Sequence, residues 1–459
     1  MGKDLTGVRS PQRNLEPDAT GPELFESPSL RGIAERARSH KQHRFRDLYR
    51  EINPDFLRVC FRELNKKAAP GIDRVTYEQY AQDLEVNLAD LATRLKEKRY
   101  RAKLVRRVMI PKENGKERPL GIPALEDKIV QKAAAKLLSA IFEQDFINTS
   151  YGYRPNRSAK GASEDLSFNL QFGCYGYIVE ADIKGFFDNL NHDWLIEMVE
   201  YRVNDKAFIR LIRKWLSAGV LELDGQVRHP ETGCPQGGII SPVLANIYLH
   251  FVLDMWFTKC VAPSCQGKAF ICRYADDFVC GFQYKDEAER FFELLPDRLL
   301  KFGLEVAPEK TRICKMSRFH PSYAAQDRFT FLGFEFWWGR NKSGKPQVLR
   351  RTAPKKQQAA EKRIRDWIKK SRHLPGRDFI TGVRQRLQGH FNYYNVISNK
   401  DGLTMFHRIT IIAIFKWLNR RGGKRRSFTW KQFKCALPSW NLPKVSVSAC
   451  KKDRIWFVG

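Results

Sequence analysis

Apolar residues fall into two kinds of pattern along this chain, and their order sets the expected architecture. From Phe45 to Leu95 they recur three or four apart, as on one face of a helix, except across Ala69-Pro70-Gly71, where a turn is required. Two helices flanking a loop are expected there. Between Leu104 and Ile122 two extended runs enclose Glu113-Asn114-Gly115, the composition of a hairpin turn, with Lys112, Lys116 and Arg118 around its tip. A helix is predicted from Leu125 to Phe146, then a buried strand, Tyr177-Ile178-Val179-Glu180-Ala181-Asp182-Ile183, that closes on an aspartate. Helical spacing returns over 192–218 and 241–257, on either side of the turn Gly233-Cys234-Pro235-Gln236-Gly237-Gly238. Phe270 to Cys280 alternates about Ala275-Asp276, as a tight hairpin does. After Phe331-Leu332-Gly333-Phe334, read as a strand, the pattern is purely helical over 354–371, 378–396 and 402–420, with Pro354 at a first-turn position. The fold class is therefore α+β followed by an all-helical block. Residues 1–44, rich in Pro, Ser, Gly and charge, read as a flexible extension.

Composition narrows the partner. At 459 residues with 42% hydrophobic and 12% aromatic positions, the chain can build a large core plus appended modules, and no apolar run is long enough to cross a bilayer. Residues 1–14 lack the apolar core of a secretion signal, and the match of Gly2 and Thr6 to an acylation pattern is at the level of chance. Ten cysteines include no Cys-x-x-Cys pair; Cys174, Cys272 and Cys280 read as reduced, buried thiols, and Cys260 with Cys265 lacks a second ligand pair for zinc. A reducing, bacterial cytoplasmic setting is expected. The net charge of +30 calls for a polyanion, and residues 350–459 hold 27 Lys and Arg against 5 Asp and Glu, a net of +22. Nucleic acid fits best.

Three aspartates carry the candidate chemistry. Asp182 ends one strand and Asp276-Asp277 sit at a hairpin tip, so neighbouring strands would gather three hard oxygen donors suited to Mg²⁺. Two such ions are the usual means of joining a 3′-hydroxyl to a nucleoside triphosphate. An Asp-Asp dipeptide alone is expected once by chance in a chain this long, usually in a solvated turn. Its surroundings change that: Arg273-Tyr274-Ala275-Asp276-Asp277-Phe278, Ala181-Asp182-Ile183-Lys184-Gly185-Phe186-Phe187-Asp188 and the Gly-rich turn at 233–238 together resemble reverse-transcriptase motifs.

The chain resembles the group II intron-encoded reverse transcriptases, or maturases, from about residue 55 onward. Ala69-Pro70-Gly71-Ile72-Asp73, Arg118-Pro119-Leu120-Gly121-Ile122-Pro123 and Ser150-Tyr151-Gly152-Tyr153-Arg154-Pro155 look like family motifs ahead of the palm, and Gly303-Leu304 through Lys310 like its palm-lysine stretch. The resemblance implies a right-hand polymerase: fingers and palm with an antiparallel sheet over 45–349, a helical thumb or X domain over 350–420, and a basic nucleic-acid-binding segment over 421–459. It makes Asp182, Asp276 and Asp277 catalytic and, with Ile183, the holders of two Mg²⁺ ions, for which Mn²⁺ can substitute. It assigns Lys112, Arg118, Lys184, Gly185, Phe186, Phe187, Gln236 and Lys310 to the dNTP, and Phe331, Leu332 and Gly333 to the primer grip. Arg154, Lys355, Lys356, Lys362, Arg363, Arg365, Lys369 and Lys370 are assigned to template or intron RNA.

Most of these roles have a physical reading and a plainer rival. Lys112 and Arg118 can pair with triphosphate oxygens, or be a solvated basic hairpin. Phe187 can exclude a 2′-hydroxyl, or simply fill core. Gln236 lies where a Gly-rich backbone can approach a base pair, and Lys310 can steady a leaving phosphate, or be a surface lysine. Along 355–370 cations are interrupted only by Glu361 and Asp366, which favours phosphate contact over a merely solvated face. No histidine follows His407, and the tail, with Lys424, Arg425, Arg426 and Trp430, offers no carboxylate cluster, so neither a DNA endonuclease nor an RNase H site is expected. The function expected is RNA-directed DNA synthesis from an RNA template and a DNA or RNA primer, with binding, splicing and mobility of a group II intron RNA. A host-adopted role in DNA repair or phage defence, and a mainly RNA-binding splicing cofactor, are the alternatives.

Overall fold

The computed structural model describes residues 25, 27–111, 117–341, 343–421 and 428–447. They divide into two compact units, one of residues 1–162 and 181–313, the other of 163–180 and 314–459.

The first unit is built around one helix, Leu125–Phe142, buried on nearly every side. Ala133, Ala134 and Ala140, without exposed surface, let neighbouring backbones approach. Helices Pro28–Ser39, Pro54–Arg62 and Ser241–Leu249 pack against it. The first of these lies in the stretch expected to be a flexible extension. That expectation is corrected from Pro28 onward: Leu30, Ala34 and Ala37 form a narrow buried stripe, and the Ala37 carbonyl accepts from the Arg202 guanidinium at 3.0 Å. Burying Leu30 alone contributes about 1.5–3 kcal/mol. Residues 1–24 lie outside the described part.

The expected ribbon is present as Val105–Pro111 antiparallel to Glu117–Ile122, and Val220–Leu221 adds in parallel to the first strand, followed by Val227–Arg228. The acid-bearing hairpin is Ala269–Tyr274 with Asp277–Phe282. The helix predicted over 241–257 begins as an α-helix at Ser241–Leu249 and widens into π-type turns at His250–Asp254 and Phe257–Val261.

In the second unit Phe329–Phe331, Phe334–Arg340 and Pro346–Thr352 make an antiparallel sheet. Helices Pro354–Ser371, Gly376–Tyr394, Lys400–Leu418 and Trp430–Ala436 close over a core that includes Ile364, Ile368, Phe379, Leu387, Phe406, Ile414 and Phe433. The strand Pro346–Thr352 was not expected. The sheet also groups with the helices rather than with the expected 45–349 region, because Phe334 stacks on Tyr393 at 5.7 Å and Tyr393 donates to the Leu332 carbonyl at 2.9 Å.

Candidate active site

The hairpin register sets Tyr274 opposite Asp277, which leaves Ala275-Asp276 as the whole turn. Ile271, Cys272, Val279 and Cys280 are buried and anchor both strands. Ala275 has φ +56°, a left-handed conformation that costs a residue with a Cβ about 1–2 kcal/mol. Asp182 follows strand Tyr177–Ala181, and its carbonyl accepts from Ala307 N at 2.8 Å while Ile183-Lys184 pairs with Glu305-Val306. That pairing brings Lys310, beyond Val306, onto Asp182, where ammonium and carboxylate form an ion pair.

Asp182, Asp276 and Asp277 meet within the first unit. Desolvation, then the charges of Asp276 and Asp182 and a side-chain contact with Asp182, push the Asp277 carboxyl up to about 7. Asp277 keeps an open face to solvent, so like-charge crowding is the part of this shift that water access leaves standing. Burial, and next the charge of Asp182, raise Asp276 as well. The hydrogen bond to Asp182 raises the Lys310 ammonium. Three carboxylates that repel one another, with one ammonium among them, are the electrostatics of a cation site. Among the described residues no group of three or more His, Cys, Asp or Glu is already spaced to hold a metal, so ligation here requires these carboxylates to close up and Lys310 to yield Asp182.

Beside the carboxylates, Lys184 is exposed and paired with Glu305 at 3.2 Å, Gly185 turns at φ +56°, and Phe186 and Phe187 are buried. The Gly-rich turn is held against them: Cys234 N donates to the Phe187 carbonyl at 2.7 Å, Gly233 N to that of Leu190 at 2.7 Å, and Ile239 N to Gln131 Oε1 at 2.9 Å. The Gln236 carbonyl accepts from Gly121 N at 2.6 Å, which ties the turn to the ribbon. Gly237, at φ +116°, must lack a side chain, because a Cβ there would stand 2.5 Å from the Gly121 carbonyl. Arg118 is exposed on the ribbon, and Lys112 lies outside the described residues. Sequence reasoning gave Tyr153 no role of its own. Its ring, half exposed, meets Phe187 edge-on at 6.5 Å, and burial followed by the Asp276 charge raises its hydroxyl. Its φ of +58°, unusual for a bulky residue, marks the position only once the structure is seen.

Arg154 is a correction. Its side chain is 1% exposed, pairs with Glu143 at 3.0 Å and donates to the carbonyls of Ile147 and Ser150, both at 2.7 Å. A guanidinium so used cannot reach a template. Arg154→Ala, by leaving Glu143 buried and unpaired, is expected to lower stability by about 3–5 kcal/mol, read by denaturant unfolding; a folded variant impaired only in template affinity would restore the earlier assignment.

The remaining candidates belong to the second unit. Phe331 is buried, and Leu332 and Gly333 form a turn with φ of +51° and +77°, whose Gly333 carbonyl accepts from Ala353 N at 2.9 Å. On helix Pro354–Ser371, Ile364 and Ile368 face the core while Lys355, Lys356, Lys362, Arg363, Arg365, Lys369 and Lys370 are exposed. Of the basic tail, residues 422–427 and 448–459 lie outside the described part, Lys424, Arg425 and Arg426 among them.

The family described as "Reverse transcriptase (RNA-dependent DNA polymerase)" matches residues 110–336. Protein YkfC of Escherichia coli K12 is 34% identical over 360 residues, covering 70% of this chain and 91% of that protein. The group II intron-encoded protein LtrA of Lactococcus lactis is 28% identical over 501 aligned positions, covering 90% of this chain and 81% of LtrA. A 91 kDa protein in the cob intron of Schizosaccharomyces pombe is 37% identical over 209 residues, 45% of this chain and 25% of its own length. No helix among the described residues is long and apolar enough to cross a membrane.

Proposed function

The chain belongs to the group II intron-encoded, maturase-type reverse transcriptases and is an RNA-directed DNA polymerase, and from that premise we propose that Asp182, Asp276 and Asp277 hold the two divalent ions, Mg²⁺ or in its place Mn²⁺, on which its reaction depends. The observation that carries this reading is the convergence of three carboxylates in one unit, where burial first and their mutual repulsion next raise the carboxyls of Asp276 and Asp277. When bound, the ions supply charge neutralisation at the attacking and leaving oxygens.

The chain's own groups do the rest. The primer 3′-oxygen bonds to the α-phosphorus of the dNTP, the bond from that phosphorus to the bridging oxygen breaks, pyrophosphate leaves, and the hydroxyl proton passes to solvent. Lys310, an ammonium beside Asp182, is placed to meet the leaving phosphate once it releases that carboxylate. Arg118, with Lys112, offers triphosphate oxygens a fork of donors. Phe187, flanked by Lys184, Gly185 and Phe186, forms a floor for the sugar, and Gln236 lies by the templating pair. The backbone at Ile183 lies next to the first carboxylate. Phe331-Leu332-Gly333 supports the primer, residues 45–328 act mainly as fingers and palm, and the sheet of 329–352 joins the helices of 354–420 as a thumb. The exposed cations of helix Pro354–Ser371 suit an RNA backbone, and LtrA is named for a group II intron; on that support the protein also binds, helps to splice and helps to mobilise such an intron.

Primer extension tests the reading. On an RNA template the full chain is expected to add dNTPs in Mg²⁺, to prefer them to rNTPs, and to stop when the metal is chelated; equal activity in excess chelator would remove the metal roles of the three aspartates.

A further inference from the structure

The turn that carries Asp276 is left-handed at an alanine, and a buried polar network grips it there. Arg273 Nη1 donates to the Ala275 carbonyl at 3.0 Å. The same guanidinium donates through Nε and Nη2 to the two Asp254 oxygens, at 2.7 and 2.6 Å, and through Nη1 to Asn246 Oδ1 at 3.2 Å. Asn246 in turn donates from Nδ2 to the Gly152 carbonyl at 2.7 Å. Gly152 touches the turn: a Cβ there would stand 2.3 Å from Ala275 N. The backbones of the two segments are also joined, Tyr151 N donating to the Arg273 carbonyl at 2.8 Å and Arg273 N to that of Thr149 at 2.9 Å.

Arg273 and Asp254 have no exposed side-chain surface. A buried ion pair is a poor source of stability, since desolvation offsets most of its attraction and an apolar pair of similar volume does as well or better. What an arginine adds is geometry. Its planar fork fixes several donors at once, which a lysine cannot do. Here the fork is locked on Asp254, and its remaining nitrogen is aimed at the one carbonyl in the hairpin that belongs to the strained residue. Asn246 then couples that grip to Gly152, the residue packed against the turn. His250, 3.9 Å from Asp254, is pushed down to about 4 by burial and so stays neutral, leaving the Asp254 charge to Arg273.

We propose that Arg273, Asp254 and Asn246 are positioning residues for DNA synthesis, holding Ala275 left-handed so that Asp276 and Asp277 meet Asp182 in the arrangement that binds the metal ions. The proposal rests on the assignment of those three aspartates as metal ligands. It predicts a defect in chemistry and metal use, with substrate binding spared, that disappears when the turn no longer needs holding.

The experiment uses the full chain with Arg273→Lys and Asn246→Ala, each alone and combined with Ala275→Gly, alongside Asp276→Asn. Arg273→Lys keeps the charge but loses the fork, and is expected to lower kcat for dNTP addition by about 10- to 100-fold, with KM for dNTP and primer–template Kd within about twofold of the parent. The Mg²⁺ concentration for half-maximal rate should rise. Glycine enters the left-handed region without strain, so Ala275→Gly should return about tenfold of the lost rate in either background, whereas loss of mere core packing would lower Tm and not be rescued. If Arg273→Lys fails to fold, Asn246→Ala carries the same comparison. An unchanged kcat and Mg²⁺ midpoint, or a loss that glycine does not recover, overturns the positioning role while Asp276→Asn remains inactive. Activity in Asp276→Asn would instead bring down the metal assignment, and this proposal with it.

Discussion

Asp276→Asn is expected to reduce primer extension on an RNA template by about 10³-fold, because one ligand of a charge-stabilising site is worth several kcal/mol in the transition state and each 1.4 kcal/mol is a factor of ten. The amide is isosteric with the carboxyl and removes one of three like charges. Burial and the neighbouring Asp182 already disfavour the ionised form of Asp276. Loss of charge should therefore leave the metal-free protein as stable as before, or more so, and this separates a catalytic defect from a folding one. The pH dependence has a definite sign. Burial and the charges of Asp276 and Asp182 push the Asp277 carboxyl up toward about 7 in the folded protein, above its unfolded value of about 4. Between those two values the folded chain keeps a proton that the unfolded chain has lost, so metal-free stability falls as pH rises through that window and is restored by Mg²⁺. Below about pH 7 protons compete with the cation, and the Mg²⁺ requirement for activity should climb. Mg²⁺ titrations of extension rate at pH 6 and pH 8, with Tm measured at both, check the two arms. Equal Mg²⁺ requirements, or an active Asp276→Asn, would contradict the three-carboxylate site.

How far the chain could be read depended on whether a residue's partner lay nearby in sequence. The acid hairpin was legible because two short, largely apolar runs flank a two-residue turn, and strand Tyr177–Ala181 because a mainly apolar run, broken by Glu180, ends at Asp182. Helix Pro28–Ser39 was missed because its buried stripe is only Leu30, Ala34 and Ala37 among Arg31, Glu35, Arg36 and Arg38, which gives composition more weight than spacing. Strand Pro346–Thr352 was missed because two of its inward residues are Arg350 and Thr352, which look solvated until Ser163 Oγ is found 2.7 Å from Arg350 and the Asn399 amide 2.8 Å from the Thr352 hydroxyl. Arg154 failed for the same reason in reverse. A cation in a motif-like stretch reads as a ligand for phosphate, and only Glu143 on the preceding helix end shows that it points inward. Asp254 and Arg273 share this property: a charge within an apolar run is a sign of a buried pair, but the run does not name the partner.

Phe187→Ala is expected to lower discrimination between deoxy- and ribonucleotides by about 100-fold, the scale on which a closed pocket rejects one extra group. The position suits the test because the backbone is held independently of the ring: the Phe187 carbonyl accepts from Cys234 N at 2.7 Å, and Gly233 packs so close that a Cβ would stand 3.0 Å from that oxygen. Removing the ring should leave the chain path intact and open the space between Tyr153, 6.5 Å away, and Phe186, 5.3 Å away. Phe187 is 8% exposed, so truncation also has a packing cost, about 3–5 kcal/mol for a buried Phe→Ala change. The two effects separate in the readout. If the ring bars a 2′-hydroxyl, kcat/KM for rNTPs rises in the variant while that for dNTPs falls modestly, and Phe187→Leu lies between. If the ring only fills core, Tm drops, both activities fall together, and the ratio stays at its parental value.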